Sequence, residues 1–200
     1  FVANFLSKMI TLVMQGLILI VAVYFAYQDY KSVDINIRFA RQKSKVDSET
    51  IQRLKDVRTA EKSFLDSYGH YTADLDSLVE YVNTDSLIEV RAIGDKPDSL
   101  TIIEAIDLGI IQRDTFKVSV LNNKFLNESA LKKRKYPFDS EKFIYAPYSG
   151  ERFKAQAGVI EVSGGIKKNV LEVVDPSPIV PPALKIGSMK EPHINGNWRE

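Results

Sequence analysis

Apolar and polar positions follow three different rhythms along this chain. From Met9 to Tyr27 the run MITLVMQGLILIVAVYFAY is apolar almost throughout, with Gln15 its only strongly polar member and no charge. At about 1.5 Å per residue, a helix over that run matches the roughly 30 Å hydrocarbon layer of a bilayer. Tyr24, Tyr27 and Tyr30 crowd its C-terminal end, as an interfacial aromatic belt does. A cleaved signal sequence needs a shorter apolar core and a small-x-small site, whereas the exit here is aromatic and charged. The pattern predicts a membrane anchor helix over residues 1–30.

The second rhythm is helical. From Lys31 to Tyr68 there is no Pro and no Gly. Ile51, Leu54, Val57, Phe64, Leu65 and Tyr68 fall on one stripe of a 3.6-residue helix. Asp47 or Ser48 is the expected N-cap and Gly69 the expected terminator. Glu61 lies near the middle of the stripe. It reads as an edge carboxylate that snorkels or pairs with Lys62 or Arg58, with a buried functional acid as the sharper alternative. A short helix follows over residues 73–83, capped by Thr72 or Asp74. Residues 31–84 thus read as a stalk and amphipathic helices.

The third rhythm is alternation. Residues 88–93, 116–120 and 153–162 each place apolar side chains on one face of a strand. Residues 143–145 read as a further short strand, and 99–108 as a helical piece stopped by Gly109. Ser163-Gly164-Gly165 turns the chain into a returning arm over 170–174. Residues 85–175 therefore predict a small antiparallel sheet with short helices, and the chain as a whole an α+β fold. Residues 176–200 begin Pro-Ser-Pro and add Pro181-Pro182, which predicts an extended tail. Its single Trp198 pins the tail to the domain or meets a partner, and pinning is favoured.

Composition narrows the chemistry. The formal net charge is +1, so there is no field that would gather nucleic acid. The sequence has no cysteine, which removes disulfides, thiolate catalysis and Cys-ligated zinc together. His70 and His193 are the only histidines, far apart in sequence and read as structural or surface residues. No nucleophile elbow, phosphate loop, dinucleotide fingerprint or zinc-helix motif occurs. Asp74 and Asp76 alternate like calcium ligands but lack the distal partners of a calcium loop, and capping accounts for Asp74. Lys132, Lys133, Arg134 and Lys135 form a basic run that could touch phosphate or anionic lipid, with a solvated loop as the plainer reading. Asn127-Glu128-Ser129 is a formal glycosylation sequon. The expectation is a non-enzymatic protein without cofactor or metal, with an anchored hydrolase using scattered carboxylates as the remoter reading.

An N-terminal Phe, an apolar helix ending Ala26-Tyr27-Gln28-Asp29-Tyr30, and the segment Thr59-Ala60-Glu61-Lys62-Ser63-Phe64-Leu65-Asp66-Ser67-Tyr68-Gly69-His70-Tyr71 resemble type IV pilins and type II secretion pseudopilins over roughly the first 80 residues. The resemblance implies an apolar helix packed among like helices and a small α/β head outside. Phe5 stands where that family carries the glutamate that neutralises the neighbouring amino terminus, and Lys8 where it is apolar. These departures turn the expectation toward an anchored scaffold subunit of a secretion, pilus or motility machine, with a filament subunit as the alternative. The remainder of the chain looks like a family of single-pass bacterial envelope proteins.

The partners expected are membrane lipid and other envelope proteins, with self-assembly open. The expected place is the bacterial inner membrane, with the main domain in the periplasm or outside. Lys31, Arg38, Arg41, Lys43 and Lys45 follow the anchor while Lys8 precedes it, so the charge rule taken literally would keep that side in the cytoplasm, against this placement, and orientation stays open. Gly16, Ala22 and Ala26 are the candidates for close helix contact. Glu61, Lys132, Lys133, Arg134 and Trp198 are the candidate partner contacts.

Overall fold

The computed structural model describes residues 2–94, 99 and 101–199. Phe1, residue 100 of the expected 99–108 helix, and the side chains of Phe5 and Lys8 lie outside the described residues. The fold is α+β, and the chain divides into two compact units, Phe1–Lys45 and Val46–Glu200.

The first unit consists of residues of helix α1, which runs Val2–Tyr68 over 67 residues. No Pro or Gly interrupts it except Gly16, so nothing removes an i to i−4 hydrogen bond. Asp47 and Ser48 do not cap a second helix, because α1 is already continuous there. The described apolar side chains of this unit are exposed, Leu12 at 73% and Ile20 at 68% among them. Among the described residues, one helix is long and apolar enough to cross a membrane, judged by length and composition.

In the second unit α1 buries the stripe Thr50, Leu54, Val57, Ala60 and Glu61. Gly69, at φ +77°, ends the helix and accepts its exit as L-residues rarely do. Helix α2 (Leu75–Thr84) follows, with Asp74 as N-cap. Its Leu75, Leu78, Tyr81 and Val82 face the core, which is what apolar positions spaced three and four apart dictate.

Strand β1 (Ser86–Ile93) pairs antiparallel with β2 (Gln112–Ser119), Ser86 opposite Ser119 and Ile93 opposite Gln112. Between them lies α3 (Ile102–Asp107), opened by a capping box in which Thr101 and Glu104 satisfy each other's backbone N–H groups. A π-helical turn over Leu121–Phe125 and the short α4 (Glu128–Lys133) come next. Asn127 caps α4 by accepting from the Ala130 N–H at 2.8 Å. The basic run is thus partly helix, not loop.

The second sheet has the order β3-β4-β5. Strands β3 (Lys154–Val162) and β4 (Ile166–Val174) form the expected hairpin, β4 starting earlier than its apolar stretch suggests. Residues 143–145 form no strand; Tyr145 makes an isolated bridge to Arg152. The tail is not a detached extended segment. Lys185–Gly187 adds to the sheet as β5, pairing with Glu172–Val174, and Ile186 is fully buried. The core gathers α1, α2, Phe125, Phe143, Ile144, Phe153, β4 and Ile186 into one cluster.

Candidate functional site

In the first unit, Tyr24, Tyr27 and Tyr30 stand 58%, 62% and 74% exposed near the end of the apolar run. Gln28 donates to the Tyr24 hydroxyl at 3.0 Å, and Asp34 pairs with Arg38 at 2.8 Å, one turn on. Nothing lies within 4 Å of a Cβ built on Gly16. Gly16, Ala22 and Ala26 do not make one contact face. At about 100° per residue, Gly16 points some 120° from Ala22 and 80° from Ala26, while Ala22 and Ala26 lie about 40° apart.

The second unit places the other candidates very differently from one another. Glu61 is not an edge carboxylate: it is completely buried. One oxygen accepts the Thr72 N–H at 3.1 Å, and the other, Oε1, meets no hydrogen-bond partner among the described residues. Burial pushes its carboxyl from 4.5 to about 8, against the Thr72 hydrogen bond that pulls it down. At neutral pH Glu61 is therefore a protonated acid. Its place within the apolar stripe gives no sign of this in sequence; the decisive feature is Thr72, which follows the α1 terminus and donates its N–H back to Glu61.

Arg134 is not a free member of a basic run either. Its guanidinium binds the Asp56 carboxylate through both terminal nitrogens, at 3.0 Å from Nη1 to Oδ2 and more closely from Nη2 to Oδ1. The side chains are only 8% and 7% exposed. The guanidinium also lies 5.0 Å from the Phe138 ring centroid, and Phe138 stacks on Phe125 at 4.2 Å. Burial raises the Asp56 carboxyl more than Arg134 lowers it. Lys132 and Lys133 remain exposed, Lys132 pairing with Glu128 at 3.2 Å. Trp198 packs against the core, so it pins the tail.

Where α1 meets α2, an aromatic cluster forms. Phe64 lies 4.6 Å from Tyr68 and 5.2 Å from Tyr81 between centroids. Tyr81 donates its hydroxyl to the Ser63 carbonyl at 2.8 Å, so Ser67 donates to Tyr81 at 2.9 Å. His70 caps the arrangement: a carbonyl can only accept, so its Nδ1 donates to Tyr68 O at 3.0 Å. Asp74 is used as a cap, accepting from Asp76 N–H and Ser77 Oγ, and Asp76 pairs with Arg152. Among the described residues no group of three or more His, Asp or Glu side chains is arranged to hold a metal ion.

One open cleft, of about 590 Å³, is lined by residues of the α1 end, the start of β1 and Asn123-Lys124. Tyr68 donates to Asp85 at 2.6 Å on its wall, a bond that raises the phenol, and Asn123 donates to Glu89. The cleft is lined by the carboxylates of Asp66, Asp85 and Glu89, the hydroxyls of Ser67, Tyr68 and Ser86, and the Lys124 ammonium. Sequence reasoning did not find the Tyr68–Asp85 or Asp56–Arg134 pairs, since neither has a local signal. No family model, curated protein or solved structure matches the chain.

Proposed function

We propose that the protein is a non-enzymatic, single-pass membrane subunit of a bacterial envelope assembly, acting through helix packing in the bilayer and an extramembrane interaction domain. The observation that supports it is α1. Among the described residues, none of its membrane-length window is buried. Leaving so much contiguous apolar surface in water is strongly unfavourable, and lipid or other apolar helices are what cover it. The same helix then supplies Leu54, Val57 and Ala60 to the core of the second unit, so an anchor and a folded domain share one element.

The buried polar groups argue for a structural reading of the domain. Glu61 is fully enclosed and the Asp56–Arg134 pair nearly so. A pilin-like filament subunit is the second reading, favoured by the continuity of α1 from the apolar run into the domain core. Phe5 argues for the scaffold instead.

The test is extraction of membranes with alkaline carbonate, followed by the native mass of the detergent-solubilised chain and sequencing of its N-terminus. A chain that resists carbonate and sits in a discrete complex with other proteins supports the scaffold. Open-ended, heterogeneous assemblies of a chain beginning at Phe1 support the filament subunit. Release into the carbonate supernatant overturns both.

A further inference from the structure

The apolar stretch of α1 is not uniform around its circumference. Leu12, Gln15, Leu19, Ala22 and Ala26 follow spacings of three, four, three and four residues, the heptad seam of a left-handed helix pair. Around the other side, Val13, Leu17, Ile20 and Tyr24 are all bulky. The only strongly polar side chain of the stretch and two of its small residues therefore share one face. Gln15, Leu19, Ala22 and Ala26 are exposed, so none of the described residues covers that face.

We propose that α1 associates in parallel with a second copy of itself along this seam, the two Gln15 side chains hydrogen-bonding across it. This rests on the membrane-anchor reading above. Three arguments name the occupant as a second copy. An amide carries both a donor and an acceptor, so two glutamines satisfy each other in a symmetric pair. Copies inserted in one direction hold Gln15 at the same depth, which is the condition for that bond. Ala22 and Ala26 let the backbones approach on the side where Gln15 points, and hydrocarbon offers the amide no competing partner. Gly16, on a neighbouring face, has no part in the contact.

The chain contains no cysteine, so single cysteines report the face directly. Leu19→Cys, Ala22→Cys and Ala26→Cys are compared with Leu17→Cys, Ile20→Cys and Tyr24→Cys in the full chain, oxidised in native membranes after carbonate washing. Disulfide-linked dimers from the seam set, and few from the other set, are expected. Gln15→Leu should weaken the seam cross-link by roughly 3- to 20-fold, and Gln15→Asn should restore most of it. Equal cross-linking from both sets, none from either, or a seam cross-link only to a band of different mass overturns the proposal. Carbonate-resistant chains without seam dimers refute self-association and leave the anchor standing. Loss of the chain from the washed membranes refutes the anchor and this inference together.

Discussion

Asp56 of α1 and Arg134, 78 positions later, form an ion pair that the core almost closes from water. Two charges in such a place hold each other: removing one leaves the other buried and unpaired. Arg134→Met should therefore destabilise the domain by about 3–5 kcal/mol. Asp56→Leu combined with Arg134→Met should recover much of that loss, because neither charge is then stranded. Urea unfolding of the detergent-solubilised chain, followed by the fluorescence of its single Trp198, measures both. Equal losses in the single and double variants would show that the pair is not what holds this part of the fold.

Glu61 makes stability depend on pH, and the sign follows from its proton. The folded chain binds that proton up to about pH 8, whereas an unfolded glutamate releases it near 4.5. The folded pKa is raised, so this contribution is fully present below about 4.5 and is lost as pH rises toward 8. The span is on the order of a few kcal/mol. Glu61→Gln keeps an acceptor for the Thr72 N–H and carries no charge. It should flatten the decline and exceed the parent in stability at pH 8. Parallel curves for the two chains across pH 5–8 would remove Glu61 as the cause.

What the sequence made legible was local. The Gly69 exit announced where α1 ends, though not its continuity past Asp47 and Ser48, and alternation announced the β3–β4 hairpin. What it hid was set by distant partners. Arg134 looks like one cation among four until Phe138, Phe125 and Asp56 enclose it. Glu61 looked like an edge residue because carboxylates ordinarily snorkel, and only the returning Thr72 shows otherwise. Of the candidate partner contacts, Lys132 and Lys133 stay exposed while Glu61 is enclosed. The tail misled through its prolines: β5 is three residues long, too short for alternation to register, and its place is fixed by pairing with β4.

Gly187 fixes that pairing. Its φ of +71° is a conformation side chains resist, and a Cβ there would sit 1.9 Å from the Leu171 carbonyl oxygen. Gly187→Ala should cost about 1–3 kcal/mol and loosen β5 in particular. Hydrogen exchange at Ile186 and Gly187 should rise more than at the β3–β4 hairpin. Unchanged protection of β5 would mean that the strand does not depend on this turn of the backbone.

The last stretch of chain is held by a ring lying over a glycine. A Cβ built on Gly196 would meet the Trp198 ring at 2.4 Å, so the indole occupies the space that the missing side chain leaves. Asn197 fastens the same segment, accepting from the Lys185 N–H at 3.0 Å and donating to the Ala183 carbonyl at 2.8 Å. Gly196→Ala and Trp198→Ala should then destabilise through one event, loss of the ring from its seat. Each should cost roughly 1–3 kcal/mol, below the loss for a wholly buried tryptophan. The double variant should cost little more than either single one, because residues in contact do not add. Trp198→Phe keeps most of the packing and removes a buried indole N–H that has no partner among the described residues, so it should cost less than Trp198→Ala. Thermal unfolding followed by far-ultraviolet circular dichroism reads all of these without needing the tryptophan signal. Additive losses in the double variant would show that glycine and ring act independently, and the seat would not be the cause of either.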